Sequence, residues 1–211
     1  MVYEAGKWVR EKNRDGNWFE FVLQKRGNSC GPACVLIMKQ LWNPAARYQI
    51  SEDVFRGLVA LAERGRLNAG ISAISRSAGG LHDWTRNGSE AAPLVQILKA
   101  QPSPITTART VAGNAAAVLD ALQKSSSKRP AIVGWWWGRR GERSNGGHWT
   151  VCVGPTKDGR DLTILDPWNG IQYIGNHRQS FWNYVCNTDA GVSTGWFDPN
   201  DANDPAVIAT Y

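Results

Sequence analysis

Apolar residues fall in short bursts at the start of the chain. Residues 2–10 and 17–23 predict two strands around the turn "NRDGN", the second rich in aromatics and running straight into Gln24. The period then changes: Cys34, Ile37, Met38 and Leu41 recur at helical spacing, Ser29 can cap, and Pro32 sits where a missing N–H is harmless, which predicts an amphipathic helix over about 30–41. From 51 to 123 the pattern stays helical through "SEDVFRGLVALAERG", "SEAAPLVQILKAQ" and "GNAAAVLDALQK", with Gly-rich or Pro-containing joints. After "SSSKRP" it turns to β-prone runs, "AIVGWWW", "HWTVCVG", "DLTILD" and "IQYIG", separated by turn signals such as "RRGERSNGG" and "KDGR". The tail "DPNDANDPAVIATY" carries little pattern. Helices followed by an antiparallel meander, without strand–helix alternation, predict an α+β fold in one domain over 1–211, with a helical part at about 28–124 and a β part at about 130–197.

Composition narrows this picture. With 211 residues, 42% of them hydrophobic, the chain can bury a substantial core without a staple. No stretch reaches the ~20 apolar residues of a membrane span, and the first residues lack the apolar block of a secretory signal, so the expectation is a cytoplasmic product with no membrane partner. The four cysteines are expected to be thiols, because Cys30 and Cys34 are one helical turn apart and the chain is too long for a disulfide scaffold. Basic residues exceed acidic ones by 24 to 18, and Arg139, Arg140 and Arg143 follow three tryptophans. Without a nucleic-acid fold signature, the arginines are expected to be the solvated tip of a hairpin and the tryptophans core, and nucleic acid is not an expected partner.

Candidate chemistry begins at Cys30. At the first position of a helix it faces unpaired N–H groups and the positive end of the helix dipole, which favour the thiolate; the alternative is an ordinary buried cysteine. His148 opens a strand after two glycines, whose small size admits a closely approaching backbone or substrate. Asp166 ends the next strand, because Pro167 cannot continue the ladder. If these strands pair across "PTKDGR", His148 and Asp166 come opposite each other, with Cβ atoms ~5 Å apart. Such a carboxylate would fix the imidazole and support a Cys30 thiolate, and Gln24 with the Cys30 N–H could donate to an oxyanion. Singly, each has a structural alternative: an exposed glutamine, a turn histidine, the first residue of a "DPWN" turn. His82 and His177 are weaker bases, since neither precedes a clear strand with a carboxylate opposite. A zinc site from Cys30, Cys34, His148 and Cys152 is opposed by geometry: four strand residues put His148 and Cys152 ~13 Å apart, whereas ligand atoms lie ~2 Å from the ion. Cys34, Cys152 and Cys186 are expected to be packed, and no metal or cofactor is expected.

Gln24, "NSCGPACVLIM" at 28–38, "GGHWTVCVG" at 146–154 and "LTILDPWNG" at 162–170 together resemble the papain-like cysteine peptidases, most nearly the bacterial double-glycine (bacteriocin-processing) type and related effector proteases. The resemblance implies a nucleophile helix packed on an antiparallel sheet, with Gln24 as oxyanion donor, Cys30 as nucleophile, His148 as general base then acid, and Asp166 orienting the imidazole, where papain itself has asparagine. Trp168 resembles the tryptophan that screens that orienting bond from water. The chain departs from the double-glycine type in Ser29, where an acid is common, and in the length of its helical stretch.

The expected activity is hydrolysis of peptide bonds in a protein or peptide substrate. The same residues would serve a deamidase, transglutaminase or amidase, and a non-catalytic module could instead present the Trp/Arg hairpin at 135–149. Small size and basic charge fit an effector or toxin protease, delivered by a secretion system and neutralised by a cognate inhibitor or immunity protein. The pairs Gly79-Gly80 and Gly146-Gly147 are internal sites at which a glycine-directed enzyme could cut itself.

Overall fold

A computed structural model describes residues 7–24, 30–42, 44, 91, 94, 95, 98, 108–143, 146–177, 182–188, 191–201 and 207–210. The chain is α+β. Strands β1 (Trp8–Lys12) and β2 (Trp18–Val22) form a separate hairpin, and α1 spans Cys30–Trp42. After it come β3 (Ala108–Val111), α2 (Ala115–Gln123), β4 (Ala131–Trp137), β5 (Gly147–Pro155), β6 (Asp161–Asp166), β7 (Gly170–Gly175), β8 (Trp182–Thr188), β9 (Gly191–Phe197) and β10 (Val207–Thr210). Among the described residues no helix is long and apolar enough to cross a membrane.

The large sheet is antiparallel throughout its pairings and runs β3-β10-β4-β5-β6-β7. It forks at β4, whose first half pairs with β10 while Trp136 and Trp137 pair with β9. β9 carries β8, and the Trp182 indole N–H at the start of β8 donates to the Gly175 carbonyl at the end of β7, 3.3 Å away. The strands from β4 to β9 therefore curl towards closure, and alternation along them sends side chains to two cores. Cys152, Leu162, Ile164, Ile174, Trp135, Trp182 and Phe197 fill the inside of the curl with α2, while Trp149, Val151, Val153 and Leu165 face α1.

The helix α1 packs against the sheet as expected, but it is buried on more than the one face that an amphipathic pattern predicts. Ala33 to Met38 are six consecutive fully buried residues, because α1 packs against β2 and β5, and the buried helical residues Ala91, Leu94, Val95 and Leu98 belong to the same core. A helix apolar all round is a core helix. Of the expected helical run, α2 forms with Asn114 as its cap, the side chain accepting from the Ala116 and Ala117 N–H groups at 3.0 and 3.1 Å. The segment 51–65 and Ser29 lie outside the described residues.

Two boundaries are corrected. β3 interrupts the supposed helical part, and the patternless tail supplies β10, which inserts between β3 and β4. All four residues of β10 are buried, so it reads as an apolar run without alternation, too short to stand out by itself. β8 and β9 also extend the β part beyond the four expected runs.

The β1–β2 hairpin is fastened to the free side of β7. Asn13 organises its turn, accepting from the Asp15 and Asn17 N–H groups at 3.1 and 2.8 Å. The Ile171 N–H donates to Glu11 at 2.9 Å, the Arg14 guanidinium lies 3.6 Å over the Tyr173 ring and 2.6 Å from Asp161, and the Lys157 N–H donates to Asp15 at 3.0 Å. A sheet edge that would otherwise invite another strand is thereby covered, and the chain leaving β2 is aimed at the end of β6.

Gly134 is a tight point between β4 and β5: a Cβ there would lie 2.7 Å from the Trp149 ring. Gly134→Ala is expected to destabilise the fold by about 1–3 kcal/mol through overpacking, read as a lower urea midpoint with an unchanged slope.

Candidate active site

The sequence-nominated residues converge at one end of the sheet, where β5 begins and β6 ends. His148 is 2% exposed and Asp166 is fully buried, with His148 Nε2 2.6 Å from Asp166 Oδ1. They are not directly opposed, as the turn alone suggested. The observed partners are Val151↔Leu165 and Cys152↔Ile164, with a register shift between Cys152 and Pro155 where Gly154 adopts φ +103°. Continuing that register puts Thr150 opposite Asp166, so His148 is its diagonal neighbour. A two-residue offset keeps both side chains on one face, and the imidazole spans the remaining gap.

Asp166 is held from both oxygens. Oδ1 also accepts the Trp168 N–H at 2.7 Å, and Oδ2 accepts the Asn169 side-chain amide at 3.1 Å. The "DPWN" segment is thus both a turn and the mount of the carboxylate. Asn169, 6% exposed, was not singled out from the sequence; its position three residues after an aspartate in a turn was the available signal. Trp168 meets the imidazole edge-on with centroids 6.0 Å apart, the relation expected of a residue that screens the His148–Asp166 bond.

Cys30 is the first residue of α1 and 4% exposed. No acidic side chain occupies the first turn to neutralise the helix's positive end, and Lys39 lies in the last turn. Cys30 neighbours His148, and its side chain favours the protonated ring. Because Nε2 is taken by Asp166, Nδ1 is the ring nitrogen left to exchange a proton with sulfur. Cys30 belongs to the core around α1, whereas His148 alternates with Thr150 and Cys152 on the other face of β5. They meet at the strand end, where the sheet no longer separates the two faces.

Burial alone would strip the proton from His148; the charge and hydrogen bond of Asp166, followed by those of Cys30, reverse this and raise its pKa from 6.5 to about 10. The ring is therefore an imidazolium at neutral pH, the state that pairs with a thiolate. The other sulfurs differ. Burial, the Cys30 charge and Asp166 push the Cys34 thiol well above its usual range, and burial raises Cys152, which touches Ser125 at 3.2 Å in the second core. Cys30 and Cys34 lie in one core and Cys152 in the other, which separates the ligands of the rival zinc arrangement.

Gln24 follows β2 and is buried, 5% exposed, and its N–H donates to the Pro167 carbonyl at 2.6 Å. The loop that delivers Gln24 is thereby tied to the turn that mounts Asp166. Of the other histidines, His177 is exposed beyond β7, and His82 and Gly79-Gly80 lie outside the described residues, as does the side chain of Cys186.

The three tryptophans do not share one fate. Trp135 is core, 2% exposed, with its N–H on Thr150 at 2.9 Å; Trp136 is half-buried with Arg143 5.9 Å from its ring centroid; Trp137 is half-buried and stacks on His148. The expectation of a tryptophan core holds for Trp135 only, because alternation along β4 turns Trp136 to the opposite face and Trp137 lies at the strand's end. The arginines are exposed as expected, with Arg140 3.7 Å from Asp198 and Arg143 bonded to Asp201.

No protein-family model matches the chain, and no curated protein matches it in sequence.

A histidine with a raised folded pKa adds stability that is complete below its unfolded value of 6.5 and disappears as the pH climbs through about 10. Urea titrations of the wild type and His148→Gln should therefore differ most near pH 6 and converge steadily towards pH 10. A constant difference across that range would mean that the ring is neutral throughout.

Proposed function

We propose that the chain is a papain-like cysteine peptidase that hydrolyses peptide bonds through an acyl-enzyme. The observation that carries this reading is a buried histidine bonded through Nε2 to Asp166, beside a cysteine at a helix N-terminus that with Asp166 favours the charged ring. The thiolate of Cys30 attacks the carbonyl carbon, and the carbonyl electron pair moves onto oxygen. The Gln24 side-chain amide and the Cys30 N–H receive that oxyanion. Its collapse breaks the C–N bond, and His148 gives its proton to the departing amine. Water then attacks the thioester with His148 as base, and the new carboxyl group leaves Cys30 as thiolate again. Asp166 keeps the ring oriented and favours its charged form.

The order of elements, a nucleophile helix followed by an antiparallel sheet carrying His148 and Asp166, supports the papain-like assignment, as does the position of Trp168. The chain's 211 residues and basic charge fit an effector or toxin protease acting on a protein substrate and restrained by an inhibitor or immunity protein.

Cys30→Ala is expected to abolish turnover in a folded chain, and Gln24→Ala to lower kcat by roughly 10²–10³-fold. Proteome-wide identification of new N-termini made by the wild type and not by Cys30→Ala checks the reaction and its specificity together. Glutamine side chains converted to acids on uncut chains would replace the peptidase with a deamidase, and identical proteomes would remove the enzyme altogether.

A further inference from the structure

We propose that Trp137 is a positioning residue for His148, an aromatic rail that fixes the plane of the imidazole and favours its protonated form. This rests on the reading of Cys30 and His148 as a reacting pair. The two ring centroids are 5.2 Å apart and the planes are inclined by 22°, so the indole lies nearly flat beside the imidazole. That is cation–π range, and the indole face is the negative one.

The stack is built by the backbone. In the β4–β5 register Trp135 faces His148 and Trp136 faces Gly147, which places Trp137 one step beyond, on the side of His148. The Trp137 N–H donates to the Gly146 carbonyl at 3.1 Å, and the next N–H, of Gly138, donates to Thr194 in β9 at 3.0 Å. Trp137 is therefore clamped between the residues just before His148 and the neighbouring strand. Gly147 makes the clamp possible: a Cβ at that position would lie 2.5 Å from the Trp135 carbonyl oxygen and force β4 and β5 apart.

The groups around the ring leave Trp137 a distinct task. Asp166 at the end of β6 and Cys30 at the start of α1 are the titratable groups that act on His148 among the described residues, and both in turn act on Cys34 of α1, whose thiol is pushed well up. Both act at the ring's edge. Trp168 also presents itself edge-on, inclined by 70°, and Trp135 is engaged with Thr150 and Phe197. Trp137 covers a face. In-plane hydrogen bonds leave the ring free to tilt about the axis joining its partners, and a stacked indole removes that freedom.

The test is the titration of the His148 ring by NMR in the full-length chain, compared for the wild type, Trp137→Phe, Trp137→Met and Trp137→Ala. Phenylalanine keeps an aromatic face and should hold the His148 pKa close to the wild-type value. Methionine, apolar without that face, and alanine should lower it by roughly 0.5–1 unit. The alkaline limb of Cys30 alkylation by iodoacetamide should move down by the same amount. Trp137 also packs against the second core, so alanine can unfold the chain; the phenylalanine and methionine variants then decide. Equal titrations for those two, in folded protein, would overturn the proposal. Failure of the peptidase reading looks different, since a wild type that cuts no peptide would still titrate and alkylate in this way.

Discussion

The hydrogen bond between His148 and Asp166 is the constraint around which the other elements are arranged. Two ionisable side chains stand with almost no contact with solvent, a costly condition unless each supplies the other's counter-charge at short range. Burial pulls the imidazole towards neutrality and the carboxylate pulls it towards the cation; the carboxylate prevails. At the ring's other side α1 brings Cys30, with the helix dipole unopposed by an acid in the first turn. The proposed nucleophile and its base thus share one arrangement.

The turn after β6 is where this arrangement becomes rigid. Asp166 accepts from the Trp168 N–H and the Asn169 amide, Pro167 accepts from the Gln24 N–H, and Trp168 stands against the imidazole edge. Four consecutive residues thereby join the orienting acid, its screen and the oxyanion candidate. The distant β1–β2 hairpin belongs to the same structure, because its bonds to β7 and to the β5–β6 turn determine where Gln24 arrives. A glutamine on an unfastened loop could not hold a donor against a charge that develops transiently.

How far the sequence revealed this depended on what each feature required. The α1 helix, the four runs from β4 to β7 and the strand-end positions of His148 and Asp166 were legible, since period and Gly or Pro punctuation are local signals. The burial of α1 on all sides was not, because it follows from packing against β2, β5 and residues near 91–98. β10 and β3 were missed for a related reason: four-residue strands gain their meaning from each other and from β4, far away in the chain. The direct opposition of His148 and Asp166 failed by two residues, since the register follows from where the turn closes, with Pro155 opposite Leu162, and from a one-residue shift near Gly154, neither of which is marked in the letters. The run "WWW" looked uniform as letters; only alternation and the strand's end gave its members different roles.

The three described sulfurs illustrate why placement, and not residue type, decides the chemistry here. Cys30 and Cys34 are one turn apart on one helix and are both buried, yet Cys34 sits a turn away from the unpaired N–H groups. Burial above all, and then the charges of Cys30 and Asp166, disfavour a thiolate at Cys34. Cys152 shares a strand with His148 but lies four residues along it, across the sheet from α1, where Ser125 is its polar neighbour. Of the three described sulfurs, the one at position 30 combines a helix N-terminus with a neighbouring imidazolium.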